Sequence, residues 1–131
     1  MKKFSIKNTQ GIAPGHEDPK NPGTLKRVIF TAEDVKIEGI MQMINWSKMP
    51  VGKSLALHYH EFMEEVFIIL SGKAEFVIDD EREILEATDA VYVPQQSKHL
   101  MKNIGTETLE YLAIGVVTKA GGKTVVVEKA E

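Results

Sequence analysis

From Leu25 onward, turn residues cut this chain into short runs rich in Val, Ile, Phe and Tyr, and no long stretch carries a helical period. The punctuation falls at Pro50-Val51-Gly52, Ser71-Gly72-Lys73, Asp79-Asp80, Pro94-Gln95-Gln96-Ser97, Gly105-Thr106 and Gly121-Gly122. The intervals are close to the roughly 8 to 12 residues of strands in a sandwich or barrel. β-branched and aromatic side chains suit the pleated surface. Strands are expected over 25–30, 37–46, 54–60, 65–71, 73–79, 82–87, 90–93, 99–104, 109–118 and 123–128. Only 31–36 starts like a helix, with Thr31 placed to cap and Asp34 three residues on, and a turn or two is expected there. Residues 8–24, with Gly11, Pro14, Gly15, Pro19, Pro22 and Gly23, read as loop, so 1–24 is expected to be an N-terminal arm. The expected class is all-β, one domain over 1–131 with a barrel from residue 25.

A chain of 131 residues is long enough to bury a core without staples. It has no cysteine, which removes disulfides, thiolate metal sites and cysteine nucleophiles. Net charge is −3 with the signs interspersed, so neither nucleic acid nor an anionic membrane is an expected partner. The start, Met1 to Lys7, has positive charge but no apolar stretch behind it, and no run approaches membrane-spanning length. The expected location is the cytoplasm.

The chemistry concentrates in His58-Tyr59-His60. Side chains alternate along a strand, so both imidazoles point to one face and Tyr59 to the other. A return through Glu61, Phe62 and Met63 reads as a hairpin that sets a carboxylate across from the histidines. Glu64 and Glu65 face opposite sides, so one of them supplies it. His99 opens a later strand. Three of the four histidines thus stand at strand positions able to meet, and the remaining one, His16, lies in the loop segment. The bland alternative is a cluster of imidazoles bonded to each other or to the carboxylate without a metal.

The stretch Gly52, five residues, His58-Tyr59-His60, four residues, Glu65, six residues, Gly72 resembles the first cupin motif. Residues 88–103 resemble the second through Pro94, His99 and Asn103. Thr88 and Gln96 stand where that motif usually has glycine; both are turn positions, not ligands. The resemblance implies a double-stranded β-helix barrel, similar to a jelly roll. It also implies that His58, His60, Glu65 and His99 ligate one divalent transition-metal ion.

Three imidazoles and a carboxylate suit Fe, Mn, Ni, Zn, Co or Cu without distinguishing them. A tetrahedral ion would be closed by four protein ligands; an octahedral one would keep two positions for water, substrate or dioxygen. The expected partner is a small-molecule ligand or substrate. A dioxygenase is the first reading. A non-catalytic binding or sensing module, or an isomerase- or decarboxylase-type cupin, is the alternative. No catalytic side chain beyond the ligands is marked. Met41, Met43, Phe67, Ile69 and Met101 are expected to line the pocket, although methionines are more often core filler. Val125-Val126-Val127 shows no alternation, so both faces of that strand are expected to be covered. A homodimer using the arm and this last strand follows as an expectation.

Overall fold

The computed structural model describes residues 1, 3–5, 8–14, 17–22, 28 and 40–127. The expected helix at 31–36, the expected strand at 25–30 apart from Val28, and His16 lie outside them. The strands are β1 (Lys3–Ser5), β2 (Ile40–Met49), β3 (His58–His60), β4 (Met63–Ser71), β5 (Lys73–Ile78), β6 (Glu81–Glu86), β7 (Asp89–Val93), β8 (His99–Asn103), β9 (Leu109–Val117) and β10 (Thr124–Val126). They form two five-stranded sheets, ordered β1-β7-β4-β9-β2 and β10-β3-β8-β5-β6. Every described pairing is antiparallel. The expected all-β class holds.

Alternation decides what lies between the sheets. In β4, Phe67 and Ile69 are buried, while Val66 and Ile68 are only partly covered. In β5, Ala74, Phe76 and Ile78 point inward and meet Leu85, Val91, Val93, Met101 and Leu109 in one core cluster. Burying each large side chain of that set contributes about 1.5–3 kcal/mol. Asn103 is buried at the end of β8 with its amide fully used: Nδ2 donates to Met49 O and Glu107 O, and Oδ1 accepts from Gly105 N. It ties the end of β2 to the turn before β9.

Gly72 closes the β4–β5 turn at φ 96°, and a Cβ there would stand 3.0 Å from the Leu109 backbone. The position therefore needs glycine for both conformation and space. Thr88 and Gln96, the two departures from the second motif, adopt φ 75° and 65°. The chain keeps the left-handed turns that glycine would make easy and carries the strain of a side chain in each. Backbone bonds hold both: Thr88 N donates to Ile69 O, and Gln96 N to His60 O.

Two expectations change. Lys3–Ser5, placed in the arm, is a strand paired with β7. Of the run 54–60, only His58–His60 is strand, with Ser54 in an isolated bridge to Lys102. The Ala56 carbonyl between them accepts from the His58 ring and does not serve a ladder. Val126 in β10 is 61% exposed on this chain, which leaves that face to the expected second copy.

Candidate metal centre

His58 and His60 project from one face of β3, as alternation requires. His99 is the register partner of His58 on β8, which puts the third imidazole beside the first. Ring centroids are 4.9 Å apart for His58–His60, 4.3 Å for His58–His99 and 5.5 Å for His60–His99. Glu65 arrives differently from the expected hairpin. β3 and β4 belong to opposite sheets, and Glu61-Phe62 carries the chain across. Glu65 pairs with Val93 and Gly115 in its own sheet and meets the histidines through the interior. Ligand-type atoms of the four residues all lie within 4.8 Å of one another.

The second nitrogen of each ring is anchored. His58 Nδ1 lies 2.6 Å from Ala56 O, and His99 Nδ1 lies 2.9 Å from Ser97 O. A carbonyl only accepts, so both rings carry a proton on Nδ1 and turn Nε2 inward. His60 Nδ1 is held at 2.8 Å by the Thr124 hydroxyl. Phe76 stacks on the back of His99 at 6.3 Å between centroids, and Phe67 meets it edge-on at 6.1 Å. This apolar wall restricts His99 to one orientation.

The facing atoms have no partner of their own. His60 Nε2, His99 Nε2 and Glu65 Oε1 are buried with no partner outside the cluster: Glu65 Oε1 is 2.6 Å from His60 Nε2 and 3.3 Å from His99 Nε2. Unsatisfied buried polar atoms are costly and uncommon. Several of them converging on one point is the arrangement a cation completes, so the donor set fits a transition-metal ion. Burial pushes the Glu65 carboxyl up, but the two close imidazoles outweigh it and hold it down at about 2. Burial lowers His58, aided by the neighbouring imidazoles and opposed by the Ala56 carbonyl. Both shifts favour the ligand-ready forms, an ionised carboxylate and a neutral imidazole.

Glu64 stands on the opposite face of β4. It is buried with Oε2 unpartnered, and burial raises its pKa. It is not in the cluster.

A pocket of about 680 Å³ opens beside His60, which is its one lining residue from the cluster. Its body is Ile40, Met43, Phe62, Met63 and Val117, and its rim is 118–124 with Glu61. Of the five expected lining residues, only Met43 lines it. Phe67, Ile69 and Met101 are in the core, and Met41 is exposed. Phe67, Ile69 and Met101 face inward but lie too deep, and a register shift between Met41 and Met43 breaks the alternation in β2. Gly115 leaves room for two of the lining methionines: a Cβ there would stand 2.7 Å from Met63 Sδ and 3.1 Å from Met43 Cγ. Residues 119–122, between the strands expected over 109–118 and 123–128, gave no signal in the sequence beyond their glycines. Structure ties the segment 118–124 down through Thr118 N to Phe62 O, Glu61 N to Lys123 O, and Lys123 N to Glu61 Oε1. Among the described residues, no helix is long and apolar enough to cross a membrane.

Comparison with known proteins agrees with this geometry. An uncharacterized protein of Methanocaldococcus jannaschii is 32% identical over 75 residues, 57% of this chain and 60% of that protein. An oxalate-binding protein of Thermotoga maritima is 33% identical over 67 residues, 51% of this chain and 55% of that protein. The chain therefore spans less than two thirds of either relative. A double-stranded β-helix protein of Klebsiella pneumoniae superimposes with a TM-score of 0.58 at 19% identity, over 79% of this chain and 100% of that one. The Cupin domain model matches residues 45–115, a stretch holding all four clustered residues. With more than half of its length inside that match, the chain belongs to the cupin family.

Proposed function

We propose that His58, His60, Glu65 and His99 hold one divalent transition-metal ion and that the pocket beside His60 admits a small-molecule substrate to it. The observation that carries this reading is the convergence of His60 Nε2, His99 Nε2 and Glu65 Oε1, buried with no partner outside the cluster, while all three imidazoles are anchored from behind. A bound ion of this kind supplies Lewis acidity and, if redox-active, electrons for dioxygen chemistry. The chain's own residues fix the ligands, keep the inner wall apolar through Phe67 and Phe76, and leave one side open at His60.

A dioxygenase is the reaction class best supported, because it needs open coordination positions and an apolar, water-poor pocket more than an added acid or base. Among the described residues, Glu61 is the one carboxylate lining the pocket, and one of its oxygens already accepts from Lys123 N. That favours oxygen chemistry over an isomerase or decarboxylase. Metal analysis of protein purified without chelator, with the coordination number from X-ray absorption, tests the centre. Oxygen uptake by the Fe(II)-loaded protein with a panel of small molecules tests the reaction. A closed four-coordinate ion and no oxygen uptake would favour a binding or sensing module instead.

A homodimer belongs to the same reading. Ile40, Met41, Ile44 and Trp46 are all exposed on β2, at the edge of its sheet. Such a concentration of apolar surface is what a second copy covers. A monomer mass by light scattering at micromolar concentration would remove the dimer. The cytoplasmic location stays part of this proposal.

A further inference from the structure

The pocket has a chemical polarity that the cluster does not explain. Its body is apolar: Phe62, Met43, Met63, Ile40 and Val117. The charged side chains among its lining residues are Lys119, Lys123 and Glu61. The Lys119 ammonium sits 5.2 Å from the Phe62 ring centroid, so a cation–π contact holds it at the pocket wall. Lys123 is fixed by its backbone, which donates to the Glu61 carboxylate and accepts from Glu61 N. Among the described residues, neither lysine has a carboxylate within ion-pair distance. Among the described residues, two ammonium groups against one partly used carboxylate leave the rim with one net positive charge. A rim of that charge over an apolar body matches a monoanion better than a dianionic phosphate ester.

We propose that this pocket binds a small organic monoanion with an apolar body, a carboxylate by preference. Its charged end is held by Lys119 and Lys123, and its body lies against Phe62, Met43, Met63 and Val117. The proposal names the substrate class of the site described above and rests on that reading for its use, though not for its binding. Gly121 and Gly122 let the rim approach. Gly121 has φ 86°, and a Cβ on Gly122 would stand 2.8 Å from the Phe62 ring. The rim is thereby pressed onto the ring that carries the Lys119 contact.

The test compares 4-phenylbutyrate with its neutral amide by titration calorimetry, on metal-loaded and chelator-treated full-length protein. The wild type should bind the carboxylate roughly tenfold more tightly than the amide, the scale of one charge-assisted contact. That preference should shrink as salt rises. In K119M/K123M the preference should vanish while metal content stays unchanged. Both lysines are exposed, so the fold should survive; K119Q/K123Q serves as the second variant. An equal preference in the lysine variants, or no preference in the wild type, overturns the proposal. Preference that survives the lysine changes but disappears with the metal overturns it too and leaves the metal reading standing. Loss of preference in the lysine variants of a protein that holds no metal supports the anion site and removes the metal reading. An inorganic phosphate arm that competes as well as the carboxylate also counts against the stated class.

Discussion

The Thr124 hydroxyl lies 2.8 Å from Nδ1 of His60, across the β10–β3 pairing that sets the two residues side by side. His58 and His99 are oriented by carbonyls two residues away in their own segments. His60 depends on a residue 64 positions further along the chain. A hydroxyl can donate or accept, so Thr124 orients the ring but permits either tautomer. Thr124 is thus a positioning residue for the ligand nearest the pocket. Thr124→Val should weaken metal binding roughly 10- to 100-fold, the usual effect of losing an outer partner. Thr124→Ser should restore it. Competition with a chromophoric chelator, together with the d–d spectrum of the Co(II) form, checks this. Equal affinities for all three proteins would show that the contact does no orienting.

Acid should release the metal through the imidazoles and not through the carboxylate. Glu65 is held at about 2, so it stays ionised in the range where His58 takes up its proton. Its folded pKa lies below the unfolded value, so its stabilising contribution is complete above the ordinary carboxylate range and is lost only as pH falls towards 2. His58 is shifted down from 6.5. In the metal-free protein the unfolded chain takes up that proton first, so stability declines as pH falls below 6.5. Metal content after dialysis from pH 8 to pH 3 should therefore drop in the imidazole range. Retention down to the carboxylate range would contradict this.

Thr88 and Gln96 store backbone strain that glycine would release. Their φ values are 75° and 65°. Thr88→Gly and Gln96→Gly should each stabilise the protein, by about 1 kcal/mol, the αL penalty less glycine's added chain entropy. The Thr88 effect should be larger, because its side chain is β-branched. Denaturant midpoints at unchanged slope measure it. A destabilised Thr88→Gly would mean that its side chain supports the turn.

Asn103 should matter for stability and not for the metal. Removing its amide in Asn103→Ala strands the Met49 and Glu107 carbonyls and Gly105 N. The expected cost is about 2–3 kcal/mol. Metal stoichiometry of the folded fraction should be unchanged, since the amide bonds the turn before β9 and touches none of the clustered residues. A loss of metal at full stability would reverse that assignment.

The sequence by itself determined the class and the local geometry. Runs of β-branched and aromatic residues between turn signals gave the strands from His58 to Val117 nearly where they lie. Period-two alternation put His58 and His60 on one face, because that relation needs only the backbone of three residues. Tertiary structure decided everything that joins distant segments. Glu65 meets the histidines across two sheets instead of along a hairpin, since Glu61-Phe62 crosses between layers. Phe67 and Ile69 follow Glu65 on the same face, yet belong to the core. Each step of two residues moves a side chain about 6.6 Å along the strand, away from the mouth. β1 has too few residues to show a period and exists through its pairing with β7. The rim at 118–124 and the Thr124 contact could not be read in advance either, because both depend on β10 lying beside β3. The four clustered residues were therefore legible as a set, while the route by which they meet, and what stands at the open side, belonged to the fold.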